Sequence, residues 1–303
     1  MKKLFIASII GLFSFLSVSA CDICGCGLGN YYIGMMPQFN HKFFGVRYQL
    51  HNFHTVMAGD PSQFSTDHYK TLEFWGGWNV GKKWQLIAIL PYHFVHQVSD
   101  DGIKDNHGFG DIAIMANYKL IDKNSNGKHN KGVSQQLWIG GGLKLPTGSF
   151  HVDATDPEII ALANTQTGSA STDILLNTMY NVRFYKFGIN TSASYKINTA
   201  NKDKYEFGNK FSLNTIGFYS ISQRHFTILP NMGLSYEKTA ASQLENTKID
   251  QTGGHLFAAS AGVELSFPRF TIGASTQLPI EQNFANGQTE LKVKGMVHLT
   301  FSL

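Results

Sequence analysis

The sequence predicts an all-β fold, a transmembrane antiparallel up-and-down β-barrel of about twelve strands. Three observations predict it. From residue 42 onward, apolar and polar residues alternate at period two in segment after segment. The connections between segments alternate between short and long. The last segment, 291–303, has Leu291, Val293, Val297, Leu299, Phe301 and Leu303 on one side and Lys292, Lys294, His298, Thr300 and Ser302 on the other. A terminal strand with one oily face must pair on both edges or expose an edge that invites aggregation. Closing a barrel removes both edges, and lipid gives the oily face its partner.

In chain order, Met1-Lys2-Lys3, a short apolar core over 4–18 and the small residues Val18-Ser19-Ala20 form the pattern of a signal peptide over 1–20. The apolar core is too short for a spanning helix, and no later stretch approaches the roughly twenty apolar residues that one needs. The remaining chain of about 280 residues carries no linker or charge block that would split it, so one barrel over 42–303 is expected. Charged residues make up 15% of the sequence, against about a quarter in soluble domains, while glycine and phenylalanine are abundant and proline is sparse. Those are the proportions of a lipid-facing β-protein. The net charge of +4 is scattered, which argues against nucleic acid as a partner and against a polybasic membrane anchor.

All three cysteines fall in Cys21-Asp22-Ile23-Cys24-Gly25-Cys26-Gly27, within a segment 21–41 expected on the periplasmic side. Three readings stand side by side. Val18-Ser19-Ala20-Cys21 resembles a bacterial lipobox, which would place a lipid on Cys21. Ordinary cleavage after Ala20 leaves a C-x-x-C-x-C of soft thiolates suited to Cu(I) or Zn(II), with Cys21, Cys24 and Cys26 as ligands. The third reading is a tether without metal chemistry. Met35 and Met36 are suited to assist a soft metal, although a methionine pair more often packs.

A first strand is expected from residue 42 to His51 and a second with Leu72, Phe74, Gly76 and Trp78 on one face, then strands over 84–94, 111–121, 135–147, 172–182, 187–197, 211–221, 226–236, 255–267, 270–280 and 291–303. Residues 55–67 read as a polar loop. Short turns fall at 81–83, 183–186, 222–225 and 268–269; longer polar connections fall around Ser99, Asp153, Ala200, Ala241 and Asn283. Barrels show this asymmetry when short turns face the periplasm and long loops face outside, and an even strand number puts both termini on the periplasmic side. The connection over 122–134 breaks the rule. Trp78, Trp84, Tyr180, Phe184, Tyr219, Phe226, Phe267 and Phe270 bracket the short turns, as an interfacial girdle requires.

Three further motifs stand in register. They are His107-Gly108-Phe109-Gly110-Asp111, then Gly142-Leu143-Lys144-Leu145-Pro146-Thr147-Gly148, then Gly168-Ser169-Ala170-Ser171-Thr172-Asp173. Together they resemble the outer-membrane family named for the MetA pathway of phenol degradation, which has a G-x-G-D strand start, a K-L-P-T-G strand end and a G-x-x-S-x-D strand start in this order. The resemblance implies a barrel assigned to transport of small, often aromatic or hydrophobic compounds. The cysteine cluster lies outside that pattern and looks more like a group of exported Bacteroidetes proteins.

By alternation, Arg47, Glu73, Asp111, Lys119, Lys144, Asp173, Lys210, Glu237, Glu264, Lys292 and Lys294 point inward. Mixed charges in a narrow lumen pair with one another and set ion preference. Met115, Met179, Met296 and His298 are also expected inward, either as a soft-metal track or, more simply, as gap fillers. Catalytic signatures such as G-x-S-x-G, H-E-x-x-H and the P-loop are absent from the sequence, so an enzyme is not expected. The expected reading is an outer-membrane channel of a Gram-negative bacterium, inserted by the barrel-assembly machinery and surrounded by lipid, that passes a small molecule or ion. A copper-type handling protein is the alternative.

Overall fold

A computed structural model describes residues 42–57, 60–100, 102–123, 132–151, 163–250 and 252–303. In chain order the strands are β1 (Phe43–Met57), β2 (Asp60–Val80), β3 (Trp84–Ser99), β4 (Gly102–Phe109), β5 (Ile112–Lys123), β6 (Val133–Leu145), β7 (Asp173–Phe184), β8 (Phe187–Ile197), β9 (Tyr205–Glu206), β10 (Lys210–Tyr219), β11 (Ile221–Ser222), β12 (Thr227–Thr239), β13 (Gln243–Leu244), β14 (Thr247–Lys248), β15 (Gly254–Ser266), β16 (Phe270–Phe284) and β17 (Thr289–Ser302). The main sheet runs β10-β8-β7-β6-β5-β3-β2-β1-β17-β16-β15-β12, and β12 pairs back onto β10. All pairings are antiparallel. The result is a closed barrel of twelve staves, in which β4 and β5 together form one interrupted stave.

The first and last strands seal the barrel. β1 pairs β17 from Phe43 opposite Ser302 to Thr55 opposite Thr289. Along this seam the alternation read from the sequence becomes two walls. Phe43, Arg47, Phe53 and Thr55 are buried inside, whereas Phe44 and Val297 are exposed outside. The outer wall continues around the barrel through Phe74, Leu86, Ile114, Leu143, Leu176, Leu213, Leu234, Val263 and Ile272, all exposed. Large apolar side chains exposed in a continuous band need lipid rather than water. Among the described residues no helix is long and apolar enough to cross a membrane, so any crossing is made by these strands.

At the end that holds Lys42 and Leu303, aromatic rings rim the barrel. Phe267 stacks on Phe270 at 4.5 Å, Phe44 on Phe301 at 5.1 Å, and Trp84 meets Tyr118 edge-on at 5.0 Å. Lys42 Nζ sits 3.8 Å above the Trp78 ring. Amphipathic rings with a cation beside them mark a level where one side of the ring is apolar and the other wet.

Three expectations need correction. Residues 55–67 are not a loop, because β1 continues to Met57 and β2 restarts at Asp60. These residues are polar because the strands pass the apolar band, and their outward side chains bond one another: His54 Nδ1 lies 3.1 Å from Thr66 Oγ1, and His68 Nδ1 lies 2.9 Å from Asn52 Oδ1. The regions around Ser99 and Asn283 are likewise strand: β4 folds back on β3 from Ser99 opposite Gly102 to Tyr92 opposite Phe109, and Asn283 lies in β16, with only residues 285–288 before β17. Third, the alternation in the last strand breaks at Lys292. Asn52 faces Val293 and Phe53 faces Leu291, which leaves Lys292 unmatched in a bulge. One extra residue reverses the facing of everything before it. Leu291 is therefore buried, while Lys292 has 55% of its side chain exposed beside Glu290 and does not line the lumen.

The short strands β9, β13 and β14 form a separate three-stranded sheet in the connections at the end opposite the termini. The exposed pair Lys204–Glu245 ties it at 2.6 Å; their mutual hydrogen bond raises the lysine pKa and lowers that of the carboxyl group.

Candidate functional site

The site is the interior of the barrel, and it has three parts. The first is a buried ion cluster built by the three sequence motifs. The stave formed by β4 and β5 breaks at Gly110-Asp111, opposite Pro91, which has no N–H to carry the ladder on. Gly110 N donates to Pro91 O at 2.9 Å, and the break swings Asp111 inward. The Thr147 hydroxyl bridges the gap, accepting from Ile112 N at 2.9 Å and donating to Gly110 O at 3.1 Å.

Asp111 then accepts from Lys144 Nζ at 2.6 Å, from Gly148 N at 2.9 Å, and from Ser169 through its N at 3.0 Å and its Oγ at 2.7 Å. Lys144 also donates to Ser169 Oγ, and its Nζ lies 2.8 Å from Asp173 Oδ2. Asp173 accepts from Ser171 Oγ at 2.9 Å and from Thr199 N at 3.1 Å. The side chains of Lys144, Asp111 and Asp173 are 1%, 3% and 0% exposed. A charge so far from water persists only when paired and hydrogen-bonded. Segments that look unrelated in sequence are thus one network that fastens the long connection after β6 to the barrel wall.

The backbones approach closely here. A Cβ on Gly168 would stand 2.4 Å from the carbonyl carbon of Gly148, and one on Gly148 would stand 2.7 Å from Gly168 Cα. Gly168→Ala is therefore expected to lower stability by about 1–3 kcal/mol through forced separation of the two segments. The check is the denaturation midpoint of the purified barrel; an unchanged midpoint would mean that the contact is not tight.

The second part is a set of further inward charges around the barrel. Arg47 Nε donates to Glu73 Oε2 at 2.7 Å, and Gln49 Nε2 donates to the same oxygen at 2.7 Å. Glu237 lies between two lysines, with Lys210 Nζ and Lys294 Nζ each at 2.8 Å. His298 Nε2 lies 3.5 Å from Glu264 Oε1. On β5, Lys119 Nζ is 3.0 Å from Asp122 and 4.8 Å above the Trp138 ring.

The third part is space. A cavity lies inside the barrel, lined by Gln49, Ile216, Asn231, Ser260, Ser275 and Gln277 together with Lys294, Gly295 and Met296. Apolar groups flank it along the strands. Phe53, Tyr69, Leu256, Phe284 and Leu291 cluster toward the loop end, and Ile216, Phe218 and Leu229 cluster toward the end with the termini. The wall with the motifs is filled by Phe43, Trp75, Ile87, Met115, Trp138 and Met179, so the passage lies to one side.

Ten of the eleven sequence-predicted charges thus face the interior, and Lys292 does not. They fall into separate groups rather than one site. Met115 and Met179 pack in the apolar cluster, Met296 lines the cavity and His298 sits beside Glu264, so the four do not form a track. Cys21, Cys24, Cys26, Met35 and Met36 lie outside the described residues. Among the described residues no group of three or more His, Cys, Asp or Glu side chains is placed to hold a metal. Sequence reasoning missed Gln49, Ser169 and the cavity serines. Gln49 and Ser169 were visible as neighbours of Arg47 and within a motif, but small inward serines carry no signal of their own.

A closed barrel with an apolar outer band, rings at one rim and a polar, partly filled interior defines the class of outer-membrane-type β-barrels. The family model for the MetA pathway of phenol degradation matches residues 51–293, and the chain belongs to that family. An outer membrane channel from Pseudomonas putida F1 has a similar structure, with 14% identity and a TM-score of 0.61 over 91% of this chain and 100% of that one. The β domain of the Bordetella autotransporter BrkA has 11% identity and a TM-score of 0.51 over 87% of this chain and 100% of that one. At such identities the likeness is one of fold. No curated protein sequence matches the chain.

Proposed function

We propose that this protein is an outer-membrane channel for small molecules with apolar character, exported by its N-terminal signal sequence and inserted by the barrel-assembly machinery, with both termini on the periplasmic side. The observation that carries the reading is the cavity inside a closed, lipid-compatible barrel, with apolar groups on either side of it along the strands. Family membership and the likeness to a Pseudomonas outer membrane channel support it. A lumen filled on one side and open on the other favours restricted passage over general diffusion. No observation on the described residues favours the metal-handling alternative.

The expected result is discrete conductance steps when the purified, refolded protein is added to planar lipid bilayers. Liposomes carrying it should also take up a small phenolic solute faster than protein-free liposomes. Neither conductance nor faster uptake would overturn the proposal.

A further inference from the structure

The cavity has a chemical preference that follows from its lining. Lys294 is the one charged residue among the nine that line it, and no carboxylate is among them. Lys294 belongs to the group in which two lysines share Glu237, each at 2.8 Å, so the group carries one formal positive charge more than it neutralises. Of the other inward charges, Glu73 is paired, accepting from Arg47 and Gln49, and Glu264 is not among the residues that line the cavity. The same lining carries the hydroxyls of Ser260 and Ser275 and the amides of Gln49, Asn231 and Gln277. Ile216 and Met296 complete the lining with apolar surface.

From this lining we infer that the cavity is a binding site for a small organic monoanion with an apolar body, a carboxylate or phenolate, whose charged end meets Lys294 and the neighbouring hydroxyls while its body lies against Ile216 and Met296. This deepens the channel reading by naming the class of permeant. Desolvating an anion inside a barrel is costly unless a cation and hydrogen-bond donors receive it, and this lining provides both. A neutral ring gains only the apolar contact. An organic cation meets an unfavourable field from the two lysines.

Two measurements on the full-length protein separate the site from the channel. Benzoate, benzyl alcohol and benzylamine serve as anionic, neutral and cationic probes of one size. Binding to the detergent-solubilised barrel, followed calorimetrically, should favour benzoate by about tenfold over the other two, the worth of one charge-assisted contact. Lys294→Met should abolish that preference, whereas Lys204→Met in the exposed loop pair should leave it intact. Glu237→Gln, which keeps both lysines and removes the carboxylate they share, should tighten benzoate binding, and this variant decides the matter if Lys294→Met fails to assemble. Equal binding of the three probes, or weaker benzoate binding in Glu237→Gln, overturns the inference. In bilayers, benzoate should block chloride current more strongly than benzyl alcohol does. Lysine-dependent benzoate binding without any conductance would keep the site and overturn the channel, whereas conductance without any benzoate preference would do the reverse.

Discussion

Replacing Lys144 with methionine should destabilise the barrel by about 3–5 kcal/mol, the cost of removing one partner from a buried ion group. The size of the effect follows from what is left behind. Asp111 and Asp173 are both buried, and the lysine between them is the cation each one meets, at 2.6 and 2.8 Å. Without it the two carboxylates repel each other where water cannot screen them, even though Gly148, Ser169, Ser171 and Thr199 still donate hydrogen bonds. The triple change Lys144→Met with Asp111→Asn and Asp173→Asn should recover much of the loss, because it removes the stranded charges together with the cation. Denaturant unfolding in lipid or detergent measures both. If the single variant is as stable as the parent, the cluster does not fasten the connection after β6; if the triple variant is no better than the single, the cost is lost packing rather than charge. A local effect also follows: protease cleavage of the connection between β6 and β7 should speed up in the single variant while the staves stay protected.

The twelve staves were legible because lipid on one side and side-chain packing on the other impose a strict period of two, and the turns between staves reuse glycine, lysine and aromatic residues at one rim. What was not legible has three physical causes. Beyond the apolar band a strand no longer shows oily alternation, so the outer halves of β1 and β2 looked like a loop although their ladder is continuous through Phe53 opposite Asp67. A bulge leaves no mark in composition, so the inward facing read for Lys292 followed the period into a place where the period had changed. Convergence in space is invisible to spacing: Asp111, Lys144, Ser169 and Asp173 each read as a strand-end residue, whereas the β6–β7 ladder sets Lys144 opposite Asp173 and the broken stave opposite Pro91 brings Asp111 onto the same ammonium group. The cavity was hidden for the opposite reason. It exists where side chains are small, at Ser260, Gly295 and Ser275, and an absence of bulk gives a sequence no motif.

The outer wall is tested by arginine at Val297. This residue lies on the lipid side of β17, opposite Tyr48 of β1 and Ala274 of β16, and is half exposed midway along the apolar run of the strand. An arginine there should cost roughly 2–4 kcal/mol near the bilayer midplane, falling toward zero at the rim where the side chain can reach headgroups. Phe301→Arg, at a ring that stacks on Phe44 and lies tilted beside Phe270, is such a rim position and should cost less. The proper inward control is not the neighbouring His298 or Thr300, since both are packed tightly; Gly273 leaves no room beyond the His298 ring, and Gly45 leaves none beyond the Thr300 hydroxyl. Ser260 is the right control, because it faces the cavity and has space for a longer side chain. Ser260→Arg should therefore assemble nearly as well as the parent while changing conductance, and Val297→Arg should assemble poorly while any folded fraction conducts normally. The assembled fraction is read from the shift in gel mobility between unheated and boiled samples. Equal assembly of the two variants would mean that the wall assigned to lipid is not in lipid.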